Sequence, residues 1–302
     1  MKWLWLFLFI CSILGLLTFI QLRIIQENTA RIVYIKPDQI GILPFHIVVV
    51  GIVRDIADIL RFNIERVMNI LPMFQDYSIF IYENDSQDGT KQVLLEAQQR
   101  YGSNRFRYTS QNKIDSQVAK EYQGQGRFER MAKYRNEYVK ELRKPEYDQV
   151  DYVMVIDWDI RGMFNDKHMY KLFHNNNPPP YDAMFAHTQN RYPVARNPIS
   201  SVYSFNEGYD TLALVLLNGK GGKQIRLILY EYDEPCHVRS AFNGMGIYRK
   251  VIFDTLEYRG DQCEHICLHE DMWKLGYTQT YIIPYIAFCH EVYYNPWDKS
   301  NG

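Results

Sequence analysis

The sequence predicts an α/β fold, Rossmann-like, with a mainly parallel sheet flanked by helices and an N-terminal transmembrane helix ahead of it. Three observations predict this. Apolar runs rich in β-branched residues alternate three times with stretches that are apolar at helical spacing. A fourth apolar run, Val153-Met154-Val155-Ile156, then ends in Asp157-Trp158-Asp159. Before all of these, Trp3 to Ile20 carries no charge.

Taken in order, residues 1–25 read as an uncleaved signal-anchor. As a helix, Trp3–Ile20 spans about 27 Å, close to the hydrocarbon thickness of a bilayer, and LLTFIQLRII offers no small-x-small cleavage site. Lys2 before the span and Arg23 and Arg31 after it leave its orientation open. Residues 26–44 form a stem that closes with KPDQIGILP. The domain proper, 45–302, opens with the strand FHIVVVGIV, Phe45–Val53. A helix follows over ADILRFNIERVMNIL, with Ile59, Phe62, Ile64, Val67 and Ile70 at helical spacing. YSIFIYE and RFRYTS predict the second and third strands, with the helix TKQVLLEAQQR between them. RFERMAKYRNEYVKELR predicts the helix before the fourth strand. Three strand–helix units before a further strand imply right-handed parallel crossovers, and ligands on such sheets bind at the carboxyl ends of the strands.

The second half is less regular. NNNPPPYD is a break, and YDAMFAHT and KQIRLILYEYDEP read as strands, with a Gly-rich turn, NGKGGK, between the latter and TLALVLL. AFNGMGIYRK reads as turn-rich, CEHICLHEDMWKLGY as a helix, and TYIIPYIAFCHEVYY as a closing strand.

The chain has 302 residues, 47% hydrophobic, with a net charge of −1. That length and composition support a large core, and the near-neutral charge argues against nucleic acid, which would demand a basic face. An aromatic content of 15%, including 24 Tyr, suits stacking on sugars and bases and equally suits cores and strands. Cys11, Cys236, Cys263, Cys267 and Cys289 make no metal motif; the last four could pair in an oxidising lumen, but spacing does not say how.

Two carboxylates one residue apart on the end of an apolar strand repel each other and resist desolvation unless a cation sits with them. A mainly parallel sheet with Asp-x-Asp on its fourth strand, behind a membrane anchor, matches the GT-A nucleotide-sugar glycosyltransferase architecture. There a divalent cation neutralises the diphosphate leaving group, and Mn2+ or Mg2+ suits such oxygen donors. Asp157 and Asp159 are therefore the metal candidates, with Asp157 also counted toward the nucleotide sugar. ENDSQDGT resembles the DDGSTDGT segment of many GT-A enzymes, where an acidic residue reads base or ribose. Glu83 and Asp85 are the candidates, while Asp88 and Thr90 read as helix caps. The sequon Asn84-Asp85-Ser86 would carry its glycan into the cleft and is discounted. RMAKYRN resembles the family pattern Arg-x-x-x-Ala-x-x-Arg-Asn, which implies that Arg130, Arg135 and Asn136 face the donor diphosphate; Arg54, after the first strand, joins this set.

Together IYENDSQDGT, RMAKYRN, VRSAFNGMGIYR and CEHICLHEDMW resemble the fungal capsule-associated α-mannosyltransferases. The resemblance implies a single-pass type II protein with its catalytic domain in the Golgi or ER lumen. It also implies a nucleotide-linked hexose donor, GDP-mannose favoured and UDP-hexose possible, and a glycan or glycoprotein acceptor. Residues 45–160 become the nucleotide-sugar-binding half and 161–302 the acceptor half. The chain departs from the family in its fuller Asp-Trp-Asp motif and in AFNG, where the family tends to have Cys-Trp-Asn-Gly. Asp271, which aligns with an Asp of the family, and its neighbour Glu270 are the catalytic candidates. Glu264, Asn243 and Gly244 are acceptor-binding candidates, and His290 is a third metal ligand by analogy with many GT-A enzymes. Two rival readings are a membrane-anchored carbohydrate-binding protein with a degenerate site and a haloacid dehalogenase-type phosphatase, whose motif belongs on a first strand.

Overall fold

A computed structural model describes residues 41–112, 125–160, 166–175, 179–193, 203–205, 212–221 and 234–290. The expected membrane span, the stem through residue 40 and most of KQIRLILYEYDEP lie outside the described residues. Among those described, no helix is long and apolar enough to cross a membrane. Contacts divide the chain between Gly41 and Ile42, and every element below belongs to the second unit.

The first half alternates as its periodicity predicts: β1 (Leu43–Val53), α1 (Ala57–Ile70), β2 (Phe74–Asn84), α2 (Thr90–Tyr101), β3 (Phe106–Gln111), α3 (Gln125–Leu142) and β4 (Tyr152–Ile156). β1 pairs in parallel with both β2 and β4, and β2 with β3. The order β3-β2-β1-β4 therefore brings four carboxyl ends to one edge. Val153, Met154 and Val155 are fully buried, which is why β4 reads as a continuous apolar run instead of an alternating one.

The α1 face differs in detail from expectation. Ile64, Val67 and Ile70 are buried with Leu60, Met68 and the polar Asn63, whereas Phe62 is 55% exposed beneath the Arg66 guanidinium. A helix turns about 100° per residue, so a stripe through 60, 64, 67 and 68 leaves position 62 outside.

The second half adds α4 (Asp166–Asn175), β5 (Ala183–Pro193), β6 (Tyr203–Phe205), β7 (Val215–Leu216), β8 (Cys236–Ser240), β9 (Met245–Arg249), α5 (Val251–Thr255), α6 (Glu264–Lys274) and β10 (Thr280–His290). They extend the sheet as β4-β9-β5-β10-β8-β7, with β6 on β5. β9 runs antiparallel to β4 and β5, and β8 antiparallel to β10. The α/β class holds, but the sheet is mixed and not mainly parallel. The difference arises in AFNGMGIYRK, whose turn is confined to Asn243 (φ 52°) and Gly244 (φ 81°). The chain then inserts β9 between β4 and β5, with Ile247 and Tyr248 fully buried. Gly246 disguises this strand in the sequence, yet a Cβ there would meet the Tyr248 ring at 2.6 Å.

The bend after β4 depends on another close approach. Past the end of β4 the chain turns, burying Trp158, 1% exposed, while Asp157 stays partly exposed and Asp159 exposed. Trp158 lies against Gly51 of β1, where a Cβ would come within 2.4 Å of Nε1 and 2.4 Å of the Ile156 carbonyl. Gly51→Ala should destabilise the protein by about 2 kcal/mol through overpacking, read as a lower urea midpoint. An unchanged midpoint would contradict this packing.

Candidate functional site

The carboxyl edge of β1, β2 and β4 opens into a cleft of ≈ 730 Å³. Its centre is the end of β4. Asp157 is 27% exposed at its side chain and Asp159 is exposed, and both line the cleft. The Asp157 N–H donates to the Gly244 carbonyl at 2.9 Å, tying the motif to the turn before β9.

One wall is α3. Arg127, Arg130, Met131, Tyr134 and Arg135 line the cleft, a stripe with the three- and four-residue spacing of one helical face. Arg135 is 2% exposed. Its Nη2 donates to Asp157 Oδ1 at 3.2 Å and its Nε to Glu264 Oε1 at 3.1 Å. The guanidinium lies 5.2 Å from the Phe242 ring centre and 5.8 Å from that of Tyr258, a cation–π setting. Burial alone would lower its pKa, but Tyr138, Asp157 and Glu264 outweigh that and hold it well above its ordinary value. The RMAKYRN motif thus splits. Arg130 lines the cleft, Arg135 clamps two carboxylates, and Asn136 turns away, bonding Tyr258 through Nδ2 to its carbonyl (2.9 Å) and through Oδ1 from its N–H (2.8 Å).

At the ends of β1 and β2, Ile52, Val53, Arg54, Asp55, Ile56 and Asn84 line the cleft. Of the expected pair, Glu83 is fully buried and accepts from the Ser86 N–H (2.8 Å) and the Ser110 hydroxyl, and Asp85 sits at φ 56° outside the lining. Asn84, between them, reaches the cleft; nothing in the sequence distinguishes it, because its exposure depends on where β2 ends. It is 3% exposed and Ser86 4%, too buried for a glycan. Asp88 serves two helix starts, accepting from the Thr90 N–H (2.8 Å) and the Ala57 N–H (2.9 Å), although the N-cap of α2 is Gly89 and Thr90 is the first residue of the helix.

On the opposite side, Phe242, Cys263, Glu264 and His265 line the cleft. Asn243 and Gly244 do not: Asn243 donates to the Ala186 carbonyl at 2.8 Å, and a Cβ on Gly244 would meet Ile160 Cδ1 at 2.0 Å. They shape the backbone behind Asp157. Nor do Glu270 and Asp271 line it. Glu270 is exposed and accepts from Gln262 at 3.0 Å. Asp271 is bound by Arg259 Nε at 2.8 Å and Lys274 Nζ at 2.7 Å. Partial burial would raise its pKa, but these cations hold it below the ordinary value, which makes it a poor base. Glu264 is the carboxylate of this block that faces the cleft. His290 ends β10, and its side chain lies outside those described.

Two buried histidines stand on this side, His265 in the cleft lining and His269 outside it. His269 is fully buried between Ser240 Oγ (2.8 Å from Nδ1) and Tyr248 OH (3.0 Å from Nε2), and burial pushes its pKa down to about 3. His265 stacks on Phe242 at 3.7 Å, and burial, Arg135 and His269 hold its pKa well below 6.5.

Among the described residues, no three His, Cys, Asp or Glu side chains group closely enough to hold an ion by themselves. Asp157 and Asp159 nevertheless fit Mn2+ or Mg2+: they are hard oxygen donors opening on one cleft, and such ions characteristically complete their shells with water and substrate phosphate.

Residues 46–272 match the family model for cryptococcal mannosyltransferase 1. Among solved structures, GalNAc-T7 with UDP, GalNAc and Mn2+ superposes with a TM-score of 0.52 at 9% identity, over 82% of this chain and 44% of that one. Mannosyltransferase PcManGT from Pyrobaculum calidifontis, in complex with GDP-Man and Mn2+, gives 0.49 at 9% identity, over 83% of this chain and 58% of that one. S. aureus TarS 1-349 in complex with UDP-GlcNAc gives 0.45 at 13%, over 80% and 57%. This chain therefore spans less than two thirds of these structures' lengths. No curated protein matches its sequence.

Two outcomes follow from the buried charges. Arg135→Met leaves Asp157 and Glu264 without their shared cation and should cost about 3 kcal/mol in chemical denaturation, with Arg135→Lys recovering part, because one ammonium cannot reproduce the fork. A loss below about 1 kcal/mol contradicts the clamp. The histidines predict the pH profile. With folded pKa values below 6.5, both bind protons first in the unfolded chain as pH falls through about 6.5, and His269 does so down to about 3. Stability is then full above about 6.5 and falls on acidification by up to about 1.4 kcal/mol per pH unit for each. His269→Gln should flatten the decline measured from pH 7 to 5; an unaltered slope counts against it.

Proposed function

The chain belongs to the cryptococcal mannosyltransferase 1 family, and from that premise we propose that it is a glycosyltransferase. It moves a hexose, mannose favoured, from a nucleotide sugar, GDP-mannose before a UDP-hexose, to a glycan or glycoprotein acceptor. The observation that carries this reading is the shared cleft: Asp157 and Asp159 at the carboxyl end of β4, with the arginine stripe of α3 on its wall.

Asp157 and Asp159 hold the divalent cation, which supplies positive charge to the diphosphate as it leaves; His290 is the candidate to complete the shell. Arg54, Arg127 and Arg130 bring cationic donors to the same anion. Arg135 contributes indirectly, holding Asp157 and Glu264 at fixed positions before substrate arrives. Glu264, the carboxylate of its block that lines the cleft, orients the acceptor hydroxyl. The uncharged Trp3–Ile20 run supports a membrane anchor, and the family resemblance implies a type II orientation with the domain in the Golgi or ER lumen.

The test is a panel of nucleotide sugars offered to the detergent-solubilised full chain with Mn2+, with the product anomer read by NMR. GDP-mannose should be turned over, and Asp159→Asn should lower turnover by about a hundredfold or more with the melting temperature unchanged or raised. Turnover that persists in the variant, or in wild type stripped of metal, removes the cation from Asp159.

A further inference from the structure

A buried amide on α1 grips the backbone that presents Asp159. Asn63, 6% exposed, donates from Nδ2 to the Trp158 carbonyl at 2.7 Å and to the Ile160 carbonyl at 2.9 Å. These carbonyls flank Asp159 in a stretch that has already left β4. An amide nitrogen carries two N–H donors, which a serine hydroxyl or a carboxylate cannot supply. An oxygen in the same place would face two carbonyl oxygens, so the orientation of the amide is set.

The other holds act elsewhere on the motif. The Gly244 carbonyl takes the Asp157 N–H, Arg135 takes the Asp157 carboxylate, and Trp158 is wedged against Gly51. Asn63 acts on both sides of Asp159. Its helix also begins just after Arg54, Asp55 and Ile56, which line the cleft at the end of β1. One rigid helix therefore joins the loop after β1 to the loop that carries the second carboxylate.

We propose that Asn63 is a positioning residue that fixes the Asp159 carboxylate for its cation and registers it against the loop after β1. This rests on the reading that Asp159 holds the cation. Outer-shell partners of metal ligands typically alter metal affinity by ten- to a hundredfold when removed.

The test measures Mn2+ binding by electron paramagnetic resonance in the full chain with GDP present, for wild type, Asn63→Ala, Asn63→Ser and Val67→Ala. Val67 is fully buried on the same helix and has no place in the cleft, so its truncation reports general loosening of α1. Asn63→Ala should raise the Mn2+ dissociation constant about tenfold or more, with Asn63→Ser intermediate. Val67→Ala should stay within about twofold of wild type, and GDP affinity without metal should be unchanged in every variant. If Asn63→Ala does not fold, Asn63→Ser against Val67→Ala decides the matter. Asn63 variants that bind Mn2+ like wild type, or a Val67→Ala that weakens it equally, overturn the inference while leaving the metal reading intact. A wild type that binds no Mn2+ overturns the metal reading and this inference with it.

Discussion

The site depends on one buried cation. Asp157 comes from the end of β4 and Glu264 from the start of α6, and Arg135 of α3 binds both. Without it, carboxylates from two halves of the chain would share a poorly hydrated wall and lose their common cation, and removing one partner of a buried pair is strongly destabilising. The surroundings serve that placement. Asn136 fixes the Tyr258 backbone on both sides, and a Cβ on Gly260 would meet Glu129 Cα at 2.3 Å. The loop before α6 therefore lies directly on α3 and delivers Glu264 to the guanidinium.

Around this clamp the backbone is bent where the cleft needs it. Among the described residues, the non-glycine positions with positive φ are Asp55, Asp85 and Asn243. They lie just after β1, just after β2 and just before β9. Asp and Asn tolerate this region better than most residues because their side chains are short and polar, and Asp55 is further held from the next loop, accepting the Gln87 N–H at 2.7 Å. Strained residues gather at sites that surrounding structure over-determines. Here cross-bonds between the loops after β1 and β2 supply that: Ser86 Oγ takes the Asp55 N–H at 3.1 Å, and Thr90 Oγ1 takes that of Ile56 at 3.0 Å.

Where periodicity carried the information, sequence was enough. β1, β2 and β4 are dense apolar runs, and the end of the fourth run at Ile156 places Asp157 and Asp159 at the carboxyl edge of the sheet. The α3 stripe was legible as a basic face, but not that Arg135 would be spent inside the protein and Arg130 at the cleft, because that follows from what packs above α3. The acidic block failed in an instructive way. Asp271 stands seven residues after Glu264, two helical turns on the same side, yet about 10 Å further along the axis, where Arg259 and Lys274 take it. Which carboxylate reaches a cleft depends on which end of the helix points there. Asn63 carried no signal in the sequence; a buried amide calls for partners, and these are the Trp158 and Ile160 carbonyls of a distant loop. β9 was hidden by Gly246, which is there for close packing on Tyr248 and not for turning, near Gly244, which does turn.

The central claim is that the cleft binds a nucleoside diphosphate through a cation held at the end of β4. Calorimetric titration of GDP into the full chain, with and without Mn2+, tests it most directly. The account predicts binding at least about tenfold tighter with the metal, a coupling that shared contacts of this kind supply, and loss of that increment when Asp159 is replaced by Asn. Equal affinity in the presence and absence of Mn2+, or an increment that survives the replacement, would contradict it.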